Sequence, residues 1–216
     1  MHDATKKPDL YCLIGDPVSH SLSPAMQNAA FSALGINAVY LAVRVKKEEL
    51  KHSMSRLMAL NTKGINVTMP HKIEVMKYLD KIDYTAKAIG AVNTIINKNG
   101  KLIGYNTDVI GAIAPIKSII KNLRNKNAVV LGAGGAARAL CYGLAKEGAK
   151  IKMLNRTKEK AEREAALLRK TTKADINVHE LNEKNLSMLI RNADLLCNCT
   201  SIGLHAAIVP LTLGAT

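Results

Sequence analysis

Aromatic side chains are scarce in this 216-residue sequence, which has no tryptophan, one phenylalanine and six tyrosines. Proteins that bind RNA or single-stranded DNA usually stack bases on aromatic side chains. The sequence therefore argues against nucleic-acid binding, although 31 Lys and Arg against 17 Asp and Glu give a net charge of +14. We attribute the basic excess to lysine-rich helix faces. We expect the ligand to be a small-molecule substrate. A small anionic ligand would gain from the positive field.

Long hydrophobic runs are also missing, because no apolar stretch approaches the roughly 18–20 residues that a membrane helix needs. The first residues, MHDATKKPD, lack the apolar centre of a signal peptide. We therefore expect a cytoplasmic protein that makes no membrane contact. Cysteines are few and do not have the spacing of metal ligands, so we predict no metal site and four reduced core thiols: Cys12, Cys141, Cys197 and Cys199.

Short strand-like runs alternate with helix-like segments along the whole chain, and 48% hydrophobic with 22% charged residues is ordinary globular composition. This alternation predicts an α/β fold with mainly parallel sheets, divided into two units near residues 105–125. Ser23 is predicted to cap a helix, and Pro70 to start another. Asn99 and Gly100 are predicted to form a hairpin turn.

A glycine-rich turn follows the apolar strand NAVVLG and precedes a helix, as in the phosphate-binding turn of a dinucleotide-binding unit. Its first glycine permits the tight turn, its second lets the backbone approach a pyrophosphate, and the helix N-terminus attracts the phosphates. The alternative is a simple strand-to-helix connection. We predict a cofactor site at Gly132, Ala133, Gly134, Gly135 and Ala136.

The end of the next strand distinguishes between the two nicotinamide cofactors. An NAD site has an acidic residue about 20 positions further on, which holds the ribose hydroxyl. Here the chain has Asn155, Arg156 and Thr157, followed by Lys158 and Lys160. Arginine can pair with a 2′-phosphate through charge-assisted hydrogen bonds, so the segment favours NADP. The alternative is that Thr157 only caps a helix and Arg156 is solvated.

Three polar clusters follow apolar strands in the first half of the chain: residues 20–24 (HSLSP), residues 66–72 (NVTMPHK), and residues 90–94 (GAVNT) with 104–108 (GYNTD). Hydroxyls, amides, one lysine and one aspartate at strand ends suggest a cleft for a small polyhydroxylated ligand. His20, His71 and His205 are interpreted as polar loop residues, because none has an acid–base partner that the sequence reveals.

Seven motifs in order, from Ser21 to Gly203, resemble those of the shikimate dehydrogenase family: S-x-S-P, N-V-T-x-P-x-K, G-A-V-N-T, N-T-D, G-A-G-G-A, N-R-T and N-x-T-x-x-G. The resemblance implies a substrate-binding catalytic domain over residues 1–107 and a Rossmann-like NADP-binding domain over residues 108–216. It also implies the reversible NADP-dependent interconversion of 3-dehydroshikimate and shikimate.

By position, the resemblance implies that Lys72 and Asp108 are catalytic. It assigns substrate binding to Ser21, Ser23, Thr68, Lys72, Asn93 and Asp108. It assigns NADP binding to Gly132 through Ala136, Asn155, Arg156, Thr157 and Lys160, with Leu204 near the nicotinamide. Each residue also has an ordinary alternative, such as a helix cap for Ser23 or Asp108, a solvated side chain for Lys72, or a turn for Asn93.

The sequence departs from the family pattern in two places. Val109 stands where the family usually has glycine after N-T-D. Family members also continue past the last motif with a segment that carries a ligand-binding glutamine, so we expect the second domain to be incomplete at its C-terminus. A quinate/shikimate dehydrogenase and a non-catalytic NADP-binding relative therefore stay open, as does association into a homodimer through uncovered apolar surface.

Overall fold

The computed structural model describes residues 7–202, and these divide into two compact units between Ile116 and Lys117. The division falls inside a helix that begins at Asp108, the residue with which the predicted second domain begins. The domain bounds 1–107 and 108–216 stay a prediction. Leu204 and His205, both assigned a place in the sequence analysis, lie outside the described residues.

Unit 1 contains a six-stranded mixed sheet in the order β2-β1-β3-β5-β6-β4. The strands are β1 (Asp9–Gly15), β2 (Ala38–Arg44), β3 (Gly64–Val67), β4 (Lys81–Ile82), β5 (Thr94–Lys98) and β6 (Lys101–Tyr105). The helices are α1 (Ser23–Ala33), α2 (Leu50–Ala59), α3 (Tyr84–Ile89) and α4 (Asp108–Ile119), with 3₁₀ turns at Lys47–Glu49 and Glu74–Tyr78.

Hydrophobic pattern explains where these strands lie. β1 lies between β2 and β3 and is a nearly continuous apolar run, as expected for a strand that is covered on both faces. Its Cys12 and Ile14 are fully buried in a core with Ile65 and Ile95. The predicted hairpin turn is confirmed, because Asn99 and Gly100 have φ angles of 53° and 83° between β5 and β6.

Unit 2 contains a four-stranded parallel sheet in the order β10-β7-β8-β9. The strands are β7 (Asn127–Leu131), β8 (Lys150–Asn155), β9 (Ile176–Glu180) and β10 (Leu195–Asn198). The helices are α5 (Gly135–Lys146), α6 (Lys158–Thr172) and α7 (Glu183–Ile190). The predicted α/β fold class is confirmed, whereas α7 was not predicted.

The predicted cap of α1 and the predicted helix start at Pro70 are both wrong, although a helix does begin at Ser23. Leu22, not Ser23, is the N-cap of α1, because the Leu22 carbonyl already accepts the N–H of Met26 at 3.0 Å. Pro70 does not start a helix. The carbonyl of Lys72 accepts the N–H of Val92 at 2.7 Å and not that of a following helical residue, and the chain turns before a 3₁₀ segment begins.

The four cysteines are all free, but only two of them belong to the core. Cys12 and Cys141 are buried, whereas Cys197 and Cys199 are partly exposed. The reason is that Cys197 lies on β10, an edge strand of its sheet, and Cys199 follows that strand. Within residues 7–202 no cluster of His, Cys, Asp or Glu could hold a metal ion, and no helix has the length and hydropathy to cross a membrane.

Candidate active site

The loops that carry the predicted substrate residues leave the sheet of unit 1 at one edge. β1 and β3 are parallel neighbours that end together, with Ile14 opposite Val67. β5 runs the other way and begins at that edge, with Thr94 opposite both Asn66 and Tyr105. Because the strand ends meet there, residues far apart in sequence come together at this edge.

The central feature of this edge is an ion pair between Lys72 and Asp108. Lys72 Nζ lies 2.8 Å from Asp108 Oδ2, and the two side chains are 18% and 27% exposed. The turn that carries Lys72 is fixed by the hydrogen bond from the Val92 N–H to the Lys72 carbonyl. Partial burial and a fixed backbone hold one ammonium group and one carboxylate in a defined arrangement that still has access to solvent.

Asn93 holds the other oxygen of the Asp108 carboxylate. Its Nδ2 donates to Asp108 Oδ1 at 2.7 Å, and its Oδ1 accepts the backbone N–H of Thr107 at 2.9 Å. The Asp108 N–H donates to Asn106 Oδ1 at 3.0 Å. The carboxylate is therefore oriented by a lysine at one oxygen and an amide at the other, and three of the sequence-predicted residues form one cluster: Lys72, Asn93 and Asp108.

Ser21 and Thr68 lie at the same sheet edge, in the loops that follow β1 and β3, and Ser23 is the first residue of α1 after the first of these loops. Ser21 Oγ accepts the backbone N–H of Ser23 at 3.2 Å, so Ser21 contributes to the start of α1. Within residues 7–202 the three hydroxyls do not bond to the Lys72 cluster. They remain partly exposed, which leaves them available to a ligand.

His71 differs from its interpretation as a polar loop residue. It lies in the turn beside Lys72, but it is fully buried, and its Nε2 is 2.6 Å from the carbonyl oxygen of Val45. Its Nδ1 has no hydrogen-bond partner in the described part of the chain. The imidazole therefore anchors the turn to the chain that follows β2, a contact between distant segments that the sequence pattern does not reveal.

A cavity of about 590 Å³ lies between β1, β2 and α2, and its lining includes Leu10, Leu41 and Leu57. None of the residues of the Lys72 cluster borders it. The candidate active site is therefore the edge of the sheet, where the ion pair and the polar side chains lie.

The glycine-rich turn of unit 2 has the geometry that a phosphate-binding turn requires. Gly132 has a φ of 106°, and a Cβ there would lie 3.0 Å from the carbonyl oxygen of Cys199, so both its conformation and its neighbours require glycine. Gly134 is the N-cap of α5 and makes no side-chain cap, and a Cβ there would meet no atom within 4 Å. The space beside the Gly134 Cα is therefore open in the described part of the chain.

The segment after β8 presents its basic side chains to solvent. Arg156, Thr157 and Lys160 are exposed, and Asn155 Nδ2 donates to the Thr157 carbonyl at 2.8 Å, which shapes the loop. Thr157 occupies the N-cap position of α6 but makes no side-chain hydrogen bond there. Because β7 and β8 are parallel neighbours, this loop and the glycine turn leave the same edge of the sheet.

Two family models match the chain and cover both units. The shikimate dehydrogenase substrate binding domain matches residues 13–95, and the shikimate / quinate 5-dehydrogenase family matches residues 115–208. The chain belongs to the shikimate dehydrogenase family. The resemblance predicted from the seven motifs is therefore confirmed.

Individual members of the shikimate dehydrogenase family agree with this membership. A shikimate dehydrogenase (NADP(+)) of Methanococcus maripaludis is 47% identical over 199 residues, which is 92% of this chain and 70% of that relative. The crystal structure of the Aquifex aeolicus shikimate dehydrogenase has a TM-score of 0.83 and 46% identity, and the match covers 94% of this chain and 72% of that one. A shikimate dehydrogenase solved with NADP⁺ also has a TM-score of 0.83, at 44% identity, with coverage of 94% and 70%.

Sequence reasoning missed several members of the polar network at the candidate active-site edge of this shikimate dehydrogenase family member. Asn66, Thr94, Asn106 and Thr107 stand inside the quoted motifs but received no role, although their place in a motif was a usable signal. Tyr40 stands in no motif, and it reaches Asn66 only because β2 pairs with β1, which in turn pairs with β3.

Proposed function

We propose that this protein is an NADP-dependent shikimate dehydrogenase, an oxidoreductase that reversibly reduces 3-dehydroshikimate to shikimate in aromatic amino-acid biosynthesis. The observation that carries the proposal is the Lys72–Asp108–Asn93 cluster in a chain of this family. The matched relatives named as NADP(+) enzymes support the choice of cofactor.

Lys72 is the proposed acid. Bound NADPH would supply a hydride to the ketone carbon, and the carbonyl oxygen would then need a proton. An ammonium group beside that oxygen stabilises the developing negative charge and donates the proton, a contribution of about 10²–10⁴ in rate for general acid catalysis. In the reverse direction Lys72 takes the hydroxyl proton, while Asp108 holds its Nζ in place at 2.8 Å.

The remaining polar groups at the edge are proposed to hold the substrate. Ser21 and Ser23 bind its carboxylate, while Thr68, Asn93 and Asp108 bind its ring hydroxyls. Hydroxyl and amide groups suit such a ligand because each can donate and accept. These side chains belong to separate segments of the chain, so they would contact the ring from several sides and favour one ring orientation over others.

The cofactor is proposed to bind on unit 2. The turn from Gly132 through Ala136 takes the pyrophosphate, because Gly134 leaves space there and the amide groups at the start of α5 attract anions. Arg156, with Asn155, Thr157 and Lys160 beside it, takes the 2′-phosphate of NADP, since an exposed guanidinium can pair with two phosphate oxygens. Leu204 is proposed to approach the nicotinamide.

Quinate is the second candidate substrate, because the family that matches residues 115–208 is described as shikimate / quinate 5-dehydrogenase. The experiment that tests both follows reduced-nicotinamide absorbance with shikimate or quinate, each with NADP or NAD. We expect the fastest turnover with shikimate and NADP. A quinate preference would select the second candidate, and no turnover in any combination would indicate a non-catalytic NADP-binding relative.

A matched pair of lysine variants locates the activity. Lys72→Ala should abolish turnover, whereas Lys77→Ala should leave it unchanged, because Lys77 only pairs with Glu74 on an exposed surface. Equal activity in the two variants would refute the role of Lys72. Binding of NADP, measured by calorimetry, should be the same in both.

The place of the protein in the cell and its assembly are further parts of the proposal. We place it in the cytoplasm, since all four thiols are free, as expected in a reducing compartment. We propose no nucleic-acid partner and leave a homodimer as the alternative to a monomer, because Leu22 and Leu34 are 81% and 73% exposed. Sedimentation velocity and cell fractionation test these points.

A further inference from the structure

A series of side-chain hydrogen bonds begins at Tyr40, a residue that belongs to none of the sequence motifs. Tyr40 lies on β2, is 4% exposed, and donates its hydroxyl to Asn66 Oδ1 at 2.7 Å. Its backbone is held on both sides by Asn28, which accepts the Tyr40 N–H at 2.8 Å and donates to the Tyr40 carbonyl at 2.9 Å. The Asn28 bonds therefore hold the backbone of Tyr40, and the bond to Asn66 holds its hydroxyl.

The Tyr40 hydroxyl sets the direction of the next two bonds. Because Asn66 Oδ1 accepts from tyrosine, its Nδ2 must face the other way, and it donates to Thr94 Oγ1 at 3.3 Å. Thr94 accepts that bond and gives its own proton to Asn93 Oδ1 at 2.9 Å. Burial, with a smaller contribution from Cys12, raises the pKa of Tyr40 to about 12, so the hydroxyl remains a donor at neutral pH.

This series of hydrogen bonds ends at the proposed catalytic pair, Lys72 and Asp108. Since Asn93 Oδ1 accepts the Thr94 proton, its Nδ2 faces Asp108 Oδ1, which leaves Asp108 Oδ2 for Lys72. The Thr107 N–H also donates to Asn93 Oδ1, so Tyr40 shares this task rather than carrying it alone. Each group accepts from the previous one and donates to the next, so Tyr40 sets the direction of the Asn66 and Thr94 bonds and supports the orientation of Asn93 together with Thr107.

We propose that Tyr40 is a positioning residue of the active site, which fixes the orientation of the Asp108 carboxylate toward Lys72 through Asn66, Thr94 and Asn93. The catalytic meaning of this proposal rests on the proposed function. Without the Tyr40 hydroxyl, the Asn66 amide can rotate and offer its Oδ1 to Thr94. The Thr94 proton then leaves Asn93, and the carboxylate loses part of its support.

The test compares Tyr40→Phe with Tyr11→Phe. Tyr11 is the direct cross-strand neighbour of Tyr40, packs against Phe31, and takes no part in this series of hydrogen bonds, so it is a matched control. For Tyr40→Phe we expect kcat with shikimate to fall about threefold to tenfold, the effect of one lost hydrogen bond, with the KM for NADP unchanged. Tyr11→Phe should match the wild type, and equal kcat in both variants would overturn the proposal.

A second measurement does not need turnover. Acylation of Lys72 by acetic anhydride, measured by peptide mass spectrometry relative to Lys77, should become about threefold faster in Tyr40→Phe, because a less well-held ion pair exposes the amine more often. Asn66→Asp interrupts the series of hydrogen bonds one step later, because a carboxylate cannot donate to Thr94. This variant should speed the labelling of Lys72 in the same way, and it replaces Tyr40→Phe if that variant fails to fold.

The two measurements separate this proposal from the proposed function. If the wild type shows no dehydrogenase activity but Lys72 labelling still responds to Tyr40→Phe, the proposed function fails and the positioning role stands. If the wild type is active and labelling is unchanged in both Tyr40→Phe and Asn66→Asp, the positioning role is refuted and the proposed function stands.

Discussion

Replacing Asp108 by asparagine tests the proposed active site most directly, because each oxygen of its carboxylate accepts one hydrogen bond. Lys72 donates to one oxygen at 2.8 Å, and Asn93 donates to the other at 2.7 Å. An asparagine at position 108 has the same shape but only one acceptor oxygen. Whichever way its amide turns, its NH₂ group must face a second donor.

The expected loss follows from this geometry. A hydrogen bond to a charged group contributes about 1.5–3 kcal/mol. The substitution removes one such bond and places two donors against each other, and it also removes the counter-charge of Lys72. We therefore expect kcat/KM for shikimate to fall about 10²–10³-fold, which corresponds to about 2.7–4.1 kcal/mol of transition-state stabilisation.

The assay is steady-state oxidation of shikimate, with Asp194→Asn as the matched control. Lys126 Nζ also lies 2.8 Å from a carboxylate oxygen of Asp194, but that pair is more exposed and lies in unit 2. The control should change kcat/KM less than about twofold, since exposed ion pairs contribute little. If Asp108→Asn keeps more than about a third of the wild-type kcat/KM with an unchanged melting temperature, the two-donor argument is wrong.

Three other predictions concern unit 2. Arg156→Ala should weaken NADP binding, measured by calorimetry, about 10- to 100-fold and should hardly change NAD binding. The exposed Arg163→Ala is the control. Equal losses for both cofactors would contradict the 2′-phosphate assignment. Arg138→Met should lower the free energy of unfolding by about 3–5 kcal/mol in urea, because it strands the buried carboxylate of Glu164, whereas a loss below about 1 kcal/mol would show that this pair is solvated. Burial raises the pKa of Cys199 to about 11, so at pH 8 its alkylation should be roughly two orders of magnitude slower than in urea-unfolded protein, and equal rates would contradict this.

Much of this protein follows from its sequence. The apolar runs of β1 and β7 and the turn at Asn99 and Gly100 act through neighbours in the chain, so local pattern predicts them. The glycine-rich turn between β7 and α5 belongs to the same class, because the need for positive φ at Gly132 is a property of the backbone there. The order of seven motifs was enough to predict the family.

Tertiary structure decided what depends on contacts between distant segments. Pro70 does not begin a helix because Val92 takes the Lys72 carbonyl, and His71 is buried because Val45 lies beside it. Tyr40 joins the hydrogen-bond network of the candidate active site only because β2 pairs with β1, which in turn pairs with β3. Strand order and register determine such contacts, and they depend on the packing of the whole sheet, so a one-dimensional pattern indicates the residues at the strand ends but not which of them touch.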